Sequence, residues 1–309
     1  MSNTLRQPEP RDNTLYVGRF APTPSGSLHL GSLVAALGSY LDAHAHGGQW
    51  RLRLDDLDAQ RCPATTAHEI IRQLAVHGLE PDGDVIWQSQ RLDAYQAALA
   101  QLNQSHEVYR CQCSRNTLRA ALDAGTLREG LAGPIYPGTC LQHPPAREQS
   151  AGWRFRVPAG AVSVQDRLLG ELLQTLRTTI GDPLLKRSDG VFAYHLAEVV
   201  DNQAMAITDV VRGADLAPLT PLHIALHQAL FPCTPAPRYA HLPLVMTADG
   251  RKLSKTNHAL ALNPKKARVN LIQATQYLGL ATPEPNLPIA DLLTQWTTHW
   301  VQMWVRNCE

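Results

Sequence analysis

A chain of 309 residues and 34.0 kDa exceeds what one compact core holds and accommodates two or three linked units. With 44% apolar, 18% charged and 6% aromatic residues, the composition excludes disorder, collagen and coiled coil as the main state. No stretch approaches the roughly 18 apolar residues of a membrane span, and the polar, proline-broken first fifteen residues do not read as a secretory signal, so a cytoplasmic location is expected. The net charge of +1 hides an asymmetry: from Arg251 onward there are seven basic against three acidic residues. The six basic residues from Arg251 to Arg268 have no acid among them, a pattern that suits a solvated helix face or an anionic partner such as a phosphate or RNA backbone.

In chain order, LYVGRF at 15–20 reads as a buried strand entering a loop broken by Pro22, Pro24 and Gly26. Leu30, Leu33, Val34, Leu37, Tyr40, Leu41 and His44 then follow helical spacing until Gly47-Gly48. QWRLRL alternates as a second strand and runs into Asp55, Asp56 and Asp58. Strand, helix and strand within some forty residues form the βαβ unit of a parallel sheet. Residues 62–105 read as helical with a break at 81–84, and 130–150 as a loop-rich insertion. A second strand-and-helix region spans 191–230, and the chain after Lys255 is mostly helical by pattern.

In an open α/β sheet, ligands bind beyond the carboxyl ends of the strands, where helix N-termini supply free N–H groups. The loop from Pro22 to Ser32 occupies such a place. Gly26 and Gly31 allow backbone to approach a phosphate, and His29 at the helix start can donate to phosphate oxygens. Gly26-x4-Gly31-Ser32 lacks the lysine of a P-loop, so that reading fails. Near the other end, Arg251-Lys252-Leu253-Ser254-Lys255-Thr256 sets lysines around a hydroxyl residue, suited to a loop that closes on phosphates.

This pair resembles the HIGH and KMSKS motifs of class I aminoacyl-tRNA synthetases. RFAPTPSG (19–26), RLDDLD (53–58), KRSDGVFAYHLAEVVD (186–201), TDVVRGADL (208–216), HLPLV (241–245) and DGRKLSKT (249–256) resemble, in order, the catalytic half of glutamyl-tRNA synthetase. The 54 residues after Lys255 are too few for the large helical anticodon-binding domain of those enzymes. A short chain with a Cys-x-Cys, a tyrosine and a further cysteine is similar to the glutamyl-queuosine tRNA(Asp) synthetases. That resemblance implies activation of L-glutamate with ATP, travelling with Mg²⁺, and transfer to queuosine in the anticodon of tRNA(Asp). The alternatives are a compact glutamyl-tRNA synthetase charging the 3′ end, or a silent RNA-binding relative, which the intact His29, Gly31, Lys255, Arg19 and Arg212 oppose.

The resemblance places Arg19, Arg212 and Tyr194 around glutamate, with Phe20, Ala21, Pro22 and Thr23 in the same strand-end loop. Guanidinium pairs carboxylate in bidentate fashion, and a phenol hydroxyl can orient one. Asp55 stands where the family usually has Glu for the substrate ammonium, one methylene shorter. His29, Gly31 and Ser32 would hold ATP, with Lys252, Ser254 and Lys255 following the leaving pyrophosphate. Asp56 and Asp58 are read as structural.

Six cysteines without an export signal argue against a disulfide framework; Cys62, Cys233 and Cys308 are isolated. Cys111, Cys113 and Cys140 suit one structural Zn²⁺ that staples a segment too small for its own core. The family places a tyrosine where Tyr136 stands as fourth ligand; His143 and His106 are the alternatives. The expected architecture is α/β: a tail (1–14), a Rossmann-like class I catalytic domain with a parallel sheet (15–105 and 193–245), a zinc-bearing insertion (106–192), and a phosphate loop with a small helical stem-contact region (246–309). A monomer without membrane contact is expected.

Overall fold

The computed structural model describes residues 5–6, 15–246, 260–282 and 286–305. The first half runs β1 (Leu5–Arg6), β2 (Val17–Phe20), α1 (Leu30–Ala45), β3 (Gln49–Leu54), α2 (Ala64–Val76), β4 (Ile86–Trp87), α3 (Leu92–Gln104), β5 (Val108–Cys111) and α4 (Arg115–Asp123). It continues through β6 (Glu129–Gly130), β7 (Gly133–Pro134), α5 (Thr139–Gln142), β8 (Gly152–Phe155), β9 (Val162–Asp166), β10 (Gly170–Gln174), α6 (Leu176–Thr179) and β11 (Leu184–Lys186). The remainder is α7 (Tyr194–Ala204), β12 (Asp209–Gly213), α8 (Thr220–Leu230), β13 (Arg238–Leu242), α9 (Ala267–Tyr277) and α10 (Ile289–Trp300), ending in a π-helical turn.

Two sheets carry the strand ends that matter. One is parallel, in the order β2-β3-β4. The other runs β1-β9-β13-β12, also parallel, with β10 antiparallel on β9. They meet edge to edge: the Thr208 N–H donates to the Val17 carbonyl at 3.0 Å and the Val17 N–H to Thr208 Oγ1 at 2.8 Å. Chain order therefore reverses between β2 and β12. That reversal is the switch point where open α/β sheets bind ligands.

The expected βαβ unit is present. His29 caps α1 by accepting from the Ser32 N–H at 3.2 Å, and Leu33, Val34, Leu37 and Leu41 are buried on one face. Gly48 closes the turn into β3 because a Cβ there would lie 2.3 Å from the Tyr16 carbonyl oxygen. β4 departs from the helical reading of 62–105: two residues, Ile86 and Trp87, pair with Arg53 and Leu54, a tertiary contact with no periodicity to announce it.

Two further elements correct the expected boundaries. β9, inside the stretch 106–192 read as insertion, pairs with β13 in the main sheet. Val162 and Val164 are fully buried there, and apolar burial rather than chain continuity fixes the partner. The separate antiparallel sheet is β11-β8-β5. At the other end, α9 and α10 are no appendage: Leu271, Ala274, Leu292, Trp296 and Trp300 share one core with Leu33, Leu37, Leu41 and Trp50 of α1 and β3.

Candidate active site

Three arginines converge at the switch point. Arg19 near the end of β2, Arg53 in β3 and Arg212 in β12 are all at least 96% buried. Their common partner is Glu198 of α7, which is fully buried and lies one helical turn beyond Tyr194. Glu198 Oε1 accepts from Arg19 Nη2 at 2.8 Å, Arg212 Nη1 at 3.4 Å and Asn202 Nδ2 at 3.2 Å, and Oε2 accepts from Arg53. Burial alone would raise its carboxyl, but Arg19, Arg53 and Arg212 outweigh that and hold it well below the usual carboxylate range. The sequence reading missed Glu198 and Arg53. The Tyr194–Glu198 spacing, which puts both on one helix face, was the available signal.

Arg212, expected to clasp a substrate carboxylate, is engaged on every side by the protein. Nε donates to His241 Nε2 at 3.1 Å, Nη1 to the Tyr194 hydroxyl at 3.2 Å and to Glu198, and Nη2 to Thr220 Oγ1 at 2.9 Å and the Leu216 carbonyl at 3.3 Å. A guanidinium has no acceptor, so His241 must offer Nε2 as a lone pair and carry its proton on Nδ1. Nδ1 faces Asp166 Oδ2 at 2.6 Å, so a chain Asp166–His241–Arg212 fixes the plane of the guanidinium. Burial keeps the pKa of His241 below its ordinary value, which favours this neutral form. Arg19 differs: its buried Nε has no hydrogen-bond partner among the described residues. It is the one buried guanidinium nitrogen of the three left without a partner among the described residues.

Tyr194, Thr23, His195 and Asp55 are among the residues lining a cleft of about 750 Å³. Burial raises the Tyr194 phenol far above its usual value, so its hydroxyl stays protonated. His195 and His223 are 3.2 Å apart; burial, with Arg212 nearby, lowers His195 to about 4 and His223 well below its ordinary value, so both rings are neutral. Asp55 turns back on Arg53, accepting from Nε at 2.7 Å and Nη2 at 3.3 Å. Burial, offset only in part by Arg53, pushes its carboxyl up to about 6. Asp56 binds the Ser89 N–H and hydroxyl, as the structural reading expects. Of the strand-end loop, Phe20 stacks on Trp50 in the core, Ala21 and Pro22 are half-buried, and Thr23 reaches the cleft.

His29, Gly31 and Ser32 form the cap and first turn of α1. Because His29 Nδ1 accepts from Ser32, the neutral ring carries its proton on Nε2, the donor a phosphate oxygen needs. Lys252, Ser254 and Lys255 lie outside the described residues.

Cys113, Arg115, Arg119 and Arg154 also line the cleft. The sulfurs of Cys111, Cys113 and Cys140 lie within 4.8 Å of one another. The Tyr136 hydroxyl stands 3.4 Å from Cys111 Sγ and 3.6 Å from Cys113 Sγ, and Cys113 and Cys140 are 3.6 Å apart. A tetrahedral zinc with ligands at about 2.3 Å has edges of roughly 3.8 Å, so the set fits such an ion. Exposed His143 and His106 are not part of this cluster. The Arg154 guanidinium lies 3.8 Å from the Tyr136 ring centre and its Nε donates to Cys111 Sγ at 3.2 Å, a cation placed to offset thiolate charge.

The model for the catalytic domain of class I tRNA synthetases (E and Q) matches residues 16–279. A glutamyl-Q tRNA(Asp) synthetase of Thiobacillus denitrificans is 47% identical over 286 residues, covering 92% of this chain and 93% of its own. One from Chromobacterium violaceum is 45% identical, covering 88% and 89%. Among solved structures, a glutamate tRNA ligase of Elizabethkingia meningosepticum in complex with its amino acid aligns with a TM-score of 0.67 at 28% identity. A glutamate-tRNA synthetase of Elizabethkingia anophelis aligns at 0.68 with the same identity. The chain spans about half the length of those two proteins, 52% and 53%, while 79% of it is covered.

Proposed function

The chain belongs to the class I tRNA synthetases (E and Q), among the glutamyl-Q tRNA(Asp) synthetases, and we propose that it activates L-glutamate with ATP and transfers it to queuosine in the anticodon of tRNA(Asp). The observation that carries this reading is the buried cluster of Arg19, Arg53 and Arg212 behind Tyr194, with one guanidinium N–H of Arg19 unpaired at the switch point. Such a pocket takes a carboxylate. Coverage of about nine-tenths of both chains by relatives of that name supports the acceptor.

Activation is attack of a glutamate carboxylate oxygen on the α-phosphorus of ATP, with pyrophosphate leaving. Chemistry of this kind is accelerated by positioning and charge stabilisation. Arg19 and the Tyr194 hydroxyl orient the amino acid, the Asp166–His241 chain holds Arg212 rigid behind them, and Asp55 faces the ammonium. His29 Nε2–H and the first-turn N–H groups of α1 hold the triphosphate, which arrives with Mg²⁺, and Lys255 with Lys252 and Ser254 answers the charge on the departing pyrophosphate. Cys111, Cys113, Cys140 and Tyr136 would hold Zn²⁺, which when bound staples a segment that contributes Cys113 to the cleft lining. The chain acts as a monomer in the cytoplasm. Adenylate formation in this reading needs no tRNA.

Pyrophosphate exchange with glutamate and ATP alone tests this. Exchange without tRNA is expected, and glutamine, which leaves the Arg19 donor without its charge partner at a cost of about 1.5–3 kcal/mol, should be at least roughly tenfold poorer. Exchange that requires tRNA, or equal rates for both amino acids, would contradict it.

A further inference from the structure

Glu198 has no part in the chemistry described so far, yet it stands at the centre of the charged cluster. It is fully buried, and one oxygen serves both Arg19 and Arg212. Glu198 Oε1 and the cleft-lining Tyr194 hydroxyl accept from the same atom, Arg212 Nη1, and the buried Nε of Arg19 has no hydrogen-bond partner among the described residues. A carboxylate that accepts from the Tyr194 hydroxyl would thus stand close to a carboxylate already there.

Resting on the reading of this cleft as the glutamate site, we propose that Glu198 is the specificity-determining carboxylate of the pocket: it holds back anions that bring no ammonium, so that glutamate is accepted and a bare dicarboxylate is not. Like charges about 4–6 Å apart disfavour one another by the equivalent of roughly 1–3 pK units, tenfold or more in binding. The ammonium of an amino acid offsets that repulsion; a dicarboxylate has nothing to offset it. The other anions nearby have partners of their own, although Asp55 also lines the cleft, where it is set to face the ammonium. Both oxygens of Asp55 are held by Arg53, and Asp166 stands one imidazole ring further off, behind His241. Replacing Glu198 with glutamine removes the charge and keeps a carbonyl acceptor for Arg19, while its amide N–H groups replace the oxygen that accepts from Arg53.

The test compares binding of L-glutamate and glutarate, the same chain without the ammonium, by calorimetry and ligand-induced thermal shift. Wild type should prefer glutamate by at least roughly tenfold, Glu198→Gln should narrow that ratio by about tenfold through a gain for glutarate, and Glu198→Asp should restore it. An unchanged ratio in Glu198→Gln would make Glu198 a structural counter-ion only and overturn the proposal. Should Glu198→Gln fail to fold, the wild type still decides: glutarate bound as tightly as glutamate overturns the proposal. A wild type that binds neither ligand removes the glutamate reading itself and the proposal with it, a result distinct from an unchanged ratio.

Discussion

Trp300, the last residue of α10, donates its indole N–H to Asp42 Oδ1 in α1 at 2.9 Å, across 258 positions of chain. The same carboxylate accepts from Arg167 at 2.7 and 2.9 Å and from the Tyr16 hydroxyl. His29 caps α1, so the C-terminal helices are tied to the helix whose N-terminus is proposed to hold the triphosphate. Asp42→Ala should therefore destabilise the fold by about 3 kcal/mol, because it leaves Arg167 without its main partner in a mostly buried setting. Trp300→Phe keeps most of the packing and loses the bond, for about 1 kcal/mol. Urea unfolding measures both. An Asp42→Ala protein as stable as Trp300→Phe would show that the carboxylate is no hub.

Acid should weaken the fold through its buried histidines. Burial lowers His195 and His227 to about 4 and His223 further, against about 6.5 in an unfolded chain. Between those values the unfolded chain binds more protons, so stability is full above pH 6.5 and falls as pH drops toward 4. Asp55 acts in the opposite sense: its carboxyl is raised to about 6, so its contribution declines as pH rises through the same window. Three histidines outweigh one carboxyl, and the melting temperature should fall on going from pH 7 to 4.5. A flat or rising profile would mean the rings are not buried as neutral bases.

The Asp166–His241 chain should act on substrate binding more than on turnover. Asp166→Asn puts an amide donor against the Nδ1 proton of His241, forcing the other tautomer and setting N–H against the Nε–H of Arg212. Loss of a hydrogen bond to a charged group costs about 1.5–3 kcal/mol, so KM for glutamate in pyrophosphate exchange should rise at least roughly tenfold with a smaller change in kcat. A fall in kcat alone would place the chain's role elsewhere.

For the cysteine cluster, freshly purified protein should carry about one zinc per chain, as a single closed site does. Cys111→Ser should lose the metal and lower the melting temperature, and Tyr136→Phe should weaken retention against a chelator. Metal analysis showing no zinc in the wild type would remove the site. Full retention in Tyr136→Phe would leave the hydroxyl as a neighbour of the sulfurs rather than a ligand.

The strand–helix–strand at the start was legible because local rules agree with the tertiary structure there: apolar spacing from Leu30 to Leu41, a capping His29 and glycines at the turn. So were the positions of Arg19, Arg212, Tyr194 and the Cys-x-Cys, which sit inside continuous motifs. What stayed hidden is held by contacts distant in sequence. β4 exists only through its pairing with β3, and β9 looked like insertion because nothing local to it names β13 as its neighbour. Arg53 alternates with Leu52 and Leu54 and so reads as a solvent-facing residue, yet it is fully buried because Glu198, 145 positions later, supplies the counter-charge. Asp166 and His241 come together over 75 positions. A buried ion pair is invisible to periodicity because its two halves each look like surface.

The central claim concerns the acceptor, and it is tested by incubating the protein with ATP, labelled glutamate and tRNA(Asp) prepared with and without queuosine. The account predicts label on the queuosine-containing tRNA(Asp) alone, with the label retained in the anticodon-loop fragment after nuclease digestion. Equal labelling of both tRNAs, or label recovered at the 3′-terminal nucleotide, would contradict it.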